Sequence, residues 1–432
     1  MTERREIRIE VPVLARVEGE GALSIEARDG RIERLELRIY EPPRLFEKLL
    51  EGRGYDEVPD AVARICGICP VAYQMSAVAA LEQAMGIEID DWVSRMRRVF
   101  YCGEWIQSHA LHIHLLAAPD FLGYGNVVEL AQAYPELVRR GLRLQALGND
   151  LIRLFGGRSV HPVGARVGGF HRAPSPAAVA ELRLRLDAAC ADTDALLDWA
   201  LALPVPDADQ DFVSVALRHP HGYPMAGGRI VSDRRLDIGA EAFEAHFHEL
   251  QVPHSTALHA LHHGEPYMVG PLARLNLNHD RLPAALRDRL HAAGLRLPSR
   301  NPFHSLIARA AEITFAIGEA ARLLADYVEP ASAGTVVAPR AGLGFGATEA
   351  PRGLLWHRYE LDDMGHVRSA RIVPPTSQNQ ARIEADLRQS LERLGLEQPD
   401  EVLRLRGEQV IRSYDPCISC ATHFLRLDMR RA

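Results

Sequence analysis

Apolar and polar residues alternate along the first forty positions. Ile7, Ile9 and Val11 interleave with polar neighbours, as do Leu23 and Ile25. A period of two places such residues on one face of a strand. Asp29-Gly30 then marks a hairpin turn ahead of Leu35, Leu37 and Ile39, because both residues accept the positive φ that tight turns require. Strands are therefore predicted over residues 5–39. From about Pro42 the spacing turns helical, with Leu45, Leu49 and Leu50 on one face of a short helix. Trp92 to Ala117 predicts a long helix ending near Pro119. Val127 to Leu154, Pro176 to Leu203 and Pro302 to Tyr327 predict three more. The Arg/Leu alternation within Leu182 to Leu186 is strand-like alone, but its Ala-rich flanks favour helix.

Gly- and Pro-rich stretches read as connectors at Gly156 to Gly169, His219 to Gly228, Gly264 to Pro271 and Ala331 to Gly353. The chain shows no internal repeat, no low-complexity tract and no clean linker. The fold class expected is α+β: one large, mostly helical domain over residues 1–432 with a small N-terminal β region, residues 1–40.

Composition narrows the function. The chain has 432 residues, 47% hydrophobic and 25% charged, ordinary values for a globular protein with a sizeable core. A formal net charge of -7 argues against nucleic acid or an anionic membrane surface as the main partner. Lys48 is the single lysine among fifty Lys and Arg residues, so no phosphate-binding Gly-Lys-Ser/Thr loop exists. No run of 18 apolar residues could span a membrane. The segment Met1 to Glu10 is charged and lacks an apolar signal region, so a cytoplasmic location is expected, unless a partner carries the export address.

Six cysteines are too few for a disulfide scaffold at this length. Four of them form two Cys-x-x-Cys pairs: Cys66 and Cys69 in Arg64-Ile65-Cys66-Gly67-Ile68-Cys69, and Cys417 and Cys420 in Asp415-Pro416-Cys417-Ile418-Ser419-Cys420. If the chain ends meet, these give a four-sulfur metal site suited to zinc, iron-sulfur, copper(I) or nickel. A structural zinc site is the commoner use of such pairs, although zinc ribbons keep them tens of residues apart. Spacing alone leaves the metal open. Cys102 and Cys190 read as buried small residues.

These two signatures resemble those of the large, catalytic subunit of nickel-iron hydrogenases: Arg-Ile-Cys-Gly-Ile-Cys-Pro early, and Asp-Pro-Cys-x-x-Cys-x-x-His late, ending here at His423. Further matches span the chain. They include Arg16-Val17-Glu18-Gly19, Arg44 to Arg53, His161-Pro162 after Gly156-Gly157, Val269 to Arg274, Glu349 to Gly353, and Pro375 to Asn379. The run Cys69 to Ser76 is most similar to the soluble, bidirectional, NAD(P)-linked class.

The resemblance implies a nickel-iron centre with cyanide and carbonyl on the iron, and reversible heterolytic cleavage of hydrogen to protons and electrons. Cys66 and Cys417 would be terminal nickel ligands, and Cys69 and Cys420 would bridge nickel and iron. Glu18 matches the proton-transfer glutamate beside Cys417. Arg352 matches the arginine above the open coordination position, Asp415 the carboxylate that anchors it, and Thr376 the hydroxyl that hydrogen-bonds a cyanide. A magnesium ion would be held by Glu47, the carbonyl of Ile372 and His423. Two departures stand out: Ser108 occupies the place of an aspartate found in many membrane-bound members, and Tyr73 replaces a common histidine.

The family also implies partners. No cysteines remain for iron-sulfur clusters, so a small subunit must carry them, followed in the NAD(P)-linked class by flavin and iron-sulfur subunits. A maturation endopeptidase would cut after His423 and release residues 424–432. Other features carry less. His109, His112 and His114 lack a completing carboxylate and read as hydrogen-bonding residues around the site. Gly342-x-Gly344-x-Gly346 has the wrong last spacing for a dinucleotide loop and is expected to allow close packing near Glu349 to Gly353. The runner-up functions are a zinc-stapled structural protein and a relative of the quinone-site subunit of respiratory complex I, which lacks the paired cysteines.

Overall fold

The computed structural model describes residues 6–422. The α+β class holds. The N-terminal sheet forms as the alternation requires: Glu6–Val11, Gly21–Arg28 and Arg31–Ile39 pair antiparallel in chain order. Ile9 lies opposite Ile25, and Ile25 opposite Leu35, so one apolar face is continuous across three strands. That face packs with side chains of two late helices, Pro375–Leu394 and Asp400–Tyr414. The first strands and the late helices thus share one hydrophobic cluster, whereas all four cysteines of the two motifs lie in the interior cluster.

The interior of the molecule is built from the helices Pro70–Met85, Asp91–Leu111, Pro135–Gly156 and Ser305–Ala325. The long periodic segments are helical as expected, but three of them are interrupted. Asp91–Leu111 runs into a π-helical turn, His112–Ala117, and the chain stays helical through Pro119 to Leu122. The 127–154 segment breaks at Tyr134, where Pro135 starts a second helix, as proline at a first helical turn favours. The 176–203 segment splits at Ala189 into Pro176–Ala188 and Cys190–Ala202. This split leaves Cys190 exposed, against the expectation of burial, whereas Cys102 is buried.

The 331–353 connector is also corrected. Gly342–Ala350 is a strand in an antiparallel sheet with Gly353–Leu361 and Val367–Val373. Its glycines do serve close packing, but against a different partner. A Cβ on Gly342, Gly344 or Gly346 would strike the carbonyl oxygen of Ala84, Ala80 or Ser76, respectively. Alternate strand positions thus meet every fourth residue of the Pro70–Met85 helix, the helix that begins directly after Cys69.

Candidate metal centre

Cys66 and Cys69 lie on the turn before the Pro70–Met85 helix; Cys417 is the N-cap of the short helix Ile418–Ala421 and Cys420 lies within it. All four are buried, with sulfurs within 4.8 Å of one another. The Cys66–Cys417 sulfurs are 3.4 Å apart, Cys69–Cys420 3.5 Å and Cys417–Cys420 2.6 Å. Burial pushes the Cys417 and Cys420 thiols up. The Cys66 thiol falls well below its usual range in spite of burial, because neighbouring thiols donate to it and Arg352 lies close. Four convergent sulfurs in a dry pocket are the donor set of a thiophilic cation, so the chemistry of the residues fits a nickel-type centre.

Several chain segments fix this pocket. Arg44 donates to the carbonyls of Ile65 and Ser419, clipping the turn before Cys66 to the turn before Cys420. Glu104, fully buried, accepts from the amides of Val71 at 2.6 Å and Ala72 at 3.0 Å. It satisfies donors that a helix N-terminus leaves unpaired. Gln107 donates to the carbonyl of Ile68. Neither Glu104 nor Gln107 was singled out in the sequence, and Arg44 stood there only within a matched motif. Their partners are backbone groups, and no side-chain pattern marks such contacts.

Glu18 meets the C-terminal motif directly. It forms a parallel bridge with Cys417, its carbonyl accepts from Ile418 N, and its carboxylate accepts from Ser419 N at 3.1 Å. Gly19 makes this approach possible: its φ is 92° and a Cβ there would lie 2.6 Å from the Cβ of Ile418. Burial, then the charge on Cys66, raises the Glu18 pKa above the ordinary carboxylate value.

Arg352 occupies the tight turn between Gly342–Ala350 and Gly353–Leu361. Its Nε donates to the Asp415 carbonyl at 2.6 Å, Nη2 to Asp415 Oδ1 at 3.0 Å, and Nη1 to Ser108 Oγ at 3.4 Å. Ser108 therefore stands beside Arg352, as the expected aspartate position requires, but without the charge. Asp415 caps the Asp400–Tyr414 helix in a left-handed conformation, φ 55°, and its Oδ2 is buried with no partner. Thr376 Oγ1 accepts from Cys417 N at 3.0 Å. Tyr73 is buried, and its hydroxyl pKa is raised well above the usual value by burial and by the charges of Cys420, Cys69 and Cys417.

Glu47 Oε1 accepts from Ile372 N at 2.8 Å, so two of the three residues expected at the hard-cation site adjoin. His423 lies outside the described residues, as does the segment 424–432. The three histidines of the long helix and its π turn are buried and partnered: His109 with Glu312, His112 with the Arg412 carbonyl, and His114 with the Ala110 carbonyl. Burial pulls their pKa values down to about 4, 3 and 4.

The geometry has counterparts in known proteins. The family model of nickel-dependent hydrogenases matches residues 44–140 and 260–423. The alpha subunit of sulfhydrogenase 2 from Pyrococcus furiosus is 33% identical over 424 residues, covering 97% of this chain and 100% of that one. The beta subunit of the NAD-reducing hydrogenase HoxS from Cupriavidus necator is 27% identical over 470 residues, covering 95% and 94%. The crystal structure of an NAD+-reducing [NiFe]-hydrogenase in the H2-reduced state superposes with a TM-score of 0.87 at 28% identity, covering 96% of this chain and 99% of that one. The chain belongs to the nickel-dependent hydrogenase family, as its large, catalytic subunit.

Proposed function

We propose that the four-cysteine pocket is the hydrogen-splitting centre of this subunit, where Cys66, Cys69, Cys417 and Cys420 would together hold a nickel-iron centre with cyanide and carbonyl on the iron. When bound, that centre supplies the redox chemistry for heterolytic cleavage of H2 to protons and electrons. The observation that carries this reading is the meeting of four buried sulfurs, from both ends of the chain, with one carboxylate and one guanidinium.

In this reading Glu18 takes the proton beside Cys417 and passes it outward. Its raised pKa suits an alternating donor and acceptor, since a relay works best when its pKa approaches the operating pH. Arg352 holds its guanidinium toward the thiols, oriented by Asp415. Thr376 accepts from Cys417 N through an oxygen lone pair, so its own O–H remains available to donate to a cyanide. Glu47, the Ile372 carbonyl and His423 would hold magnesium, an ion that keeps several waters among few protein ligands.

Only Cys102 and Cys190 remain outside the pocket, too few for an iron-sulfur cluster. Electrons therefore leave through a small subunit carrying such clusters, and then through flavin and iron-sulfur subunits to NAD(P). The named NAD-reducing relatives support that acceptor. Among the described residues no helix is long and apolar enough to cross a membrane, consistent with a cytoplasmic complex. A maturation endopeptidase removes residues 424–432 after metal insertion; the intact mass of the active subunit checks this, a chain ending at Ala432 contradicting it. The proton route is tested by Glu18→Gln. The variant keeps its metals, while exchange between D2 and water falls by about 10²- to 10⁴-fold. Unchanged exchange removes Glu18 from the route.

A further inference from the structure

The densest run of histidines lies outside the cysteine pocket. His246, His248, His254, His259, His262 and His263 fall within eighteen residues. The segment folds as a hairpin, Phe247–Leu250 against His259–His262. At the end away from its loop, His246, His262 and His263 converge, and one ring nitrogen of each lies within 4.8 Å of the others.

The backbone builds this convergence. His262 pairs with Phe247, and in the next position His263 N donates to the His246 carbonyl at 3.3 Å. Facing residues of an antiparallel pair bring their Cβ atoms within about 5 Å. Strand alternation would send His262 and His263 to opposite faces. His263 escapes it by adopting a left-handed conformation, φ 49°, inside a turn closed by hydrogen bonds between His262 and Glu265. Its ring then lies 4.4 Å from that of His262 and 5.3 Å from that of His246.

A hydrogen bond between neutral rings would account for His246 Nδ1 and His263 Nε2, which are 3.3 Å apart. It does not account for His262 Nε2, which is buried with no partner. The 3.3 Å separation also matches two imidazole nitrogens on one tetrahedral ion: bonds of about 2.0–2.1 Å place them roughly 3.3–3.4 Å apart.

We propose that His246, His262 and His263 form a second metal site, distinct from the cysteine pocket, that binds one borderline divalent ion of the zinc and nickel type, with water completing its coordination. The all-imidazole donor set selects that class over magnesium or calcium, which favour oxygen ligands. The neighbouring group His254, His259 and Glu384 is a natural control. Glu384 is already engaged by Leu37 N and His254 Nε2, which ties the Pro375–Leu394 helix to the N-terminal sheet.

The test uses the intact, nickel-loaded enzyme without an affinity tag, titrated with Zn2+ by calorimetry. Wild type binds one equivalent more than the His246→Ala/His263→Ala double variant. Either single variant weakens that equivalent at least about tenfold, since even partners that only support a ligand contribute 10- to 100-fold, and hydrogen oxidation is unchanged. His254→Ala leaves the equivalent intact. Equal binding by wild type and double variant overturns the proposal, as does a loss that follows His254→Ala. A measurement without variants gives the same decision: Zn2+ protects His246, His262 and His263 of wild type from diethyl pyrocarbonate, and failure to protect them contradicts the site.

Discussion

Two buried arginines serve the same hairpin turn in opposite ways. Arg274 is saturated. Its five N–H groups meet five acceptors: both oxygens of Glu312, Glu349 Oε2, and the carbonyls of Ala350 and Pro351. Its guanidinium also stacks over Trp105 at 4.5 Å. Arg352, in the turn itself, makes three hydrogen bonds, one of them at 3.4 Å to Ser108. Its charged form is favoured by Asp415, Cys417, Cys69 and Cys66 over the cost of burial. A guanidinium that holds a fold uses every donor internally. One left with donors to spare beside four thiols is equipped for something that is not part of the chain.

That contrast can be broken. The largest effect expected is on stability: Arg274→Met strands the buried carboxylates of Glu312 and Glu349, and removing one partner of a buried ion pair costs about 3–5 kcal/mol. Denaturant unfolding of the variant measures it, and a loss below about 1 kcal/mol would remove the structural role of Arg274.

The same cage makes a pH prediction with two signs. Arg274 and His109 outweigh burial for Glu312 and hold its pKa at about 2, so its stabilising contribution is present above about pH 4.5 and lost as pH falls toward 2. Glu349 is the reverse: burial outweighs Arg274 and lifts its pKa from 4.5 to about 7. Its proton is held more tightly folded than unfolded, so stability falls as pH rises from about 4.5 to 7. At 1.36 kcal/mol per pKa unit, that shift is worth roughly 3 kcal/mol at most. Glu349→Gln removes the decline between pH 4.5 and 7 and leaves the acid limb. A decline that persists in the variant assigns it to other groups.

Arg352→Lys should show the opposite profile to Arg274→Met. Hydrogen bonds to charged groups contribute about 1.5–3 kcal/mol, so losing the fork costs roughly 10- to 100-fold in hydrogen oxidation. Metal content and unfolding stay near wild type. Wild-type rates would make Arg352 structural as well. The smallest effect expected is that of Ser108→Ala: the Arg352 guanidinium reaches this neutral hydroxyl only at 3.4 Å, a long contact that contributes no more than about 1 kcal/mol, and a larger change in rate would give Ser108 a part in proton handling.

The sequence announced some of this. Period-two alternation placed Ile9, Ile25 and Leu35 each on the apolar face of its own strand, and the pairing register sets those faces side by side. The four cysteines, Glu18, Arg352, Asp415 and Thr376 were nameable from motifs, and their side chains converge. The Gly342–Ala350 strand was not legible, because the glycines that fit it against the Pro70–Met85 helix read as loop residues. Glu104 and Gln107 were not legible because they bind backbone groups more than thirty residues away. The saturation of Arg274 depends on Glu312 and Glu349, which only the fold brings together.

The central claim is that the four thiols hold nickel and iron, and infrared absorption of the purified enzyme tests it most directly. The account predicts sharp bands from iron-bound cyanide and carbonyl, with nickel and iron each near one per chain, and loss of the bands together with both metals in Cys69→Ser. Zinc alone in the four-sulfur pocket, with no such bands in wild type, would contradict it.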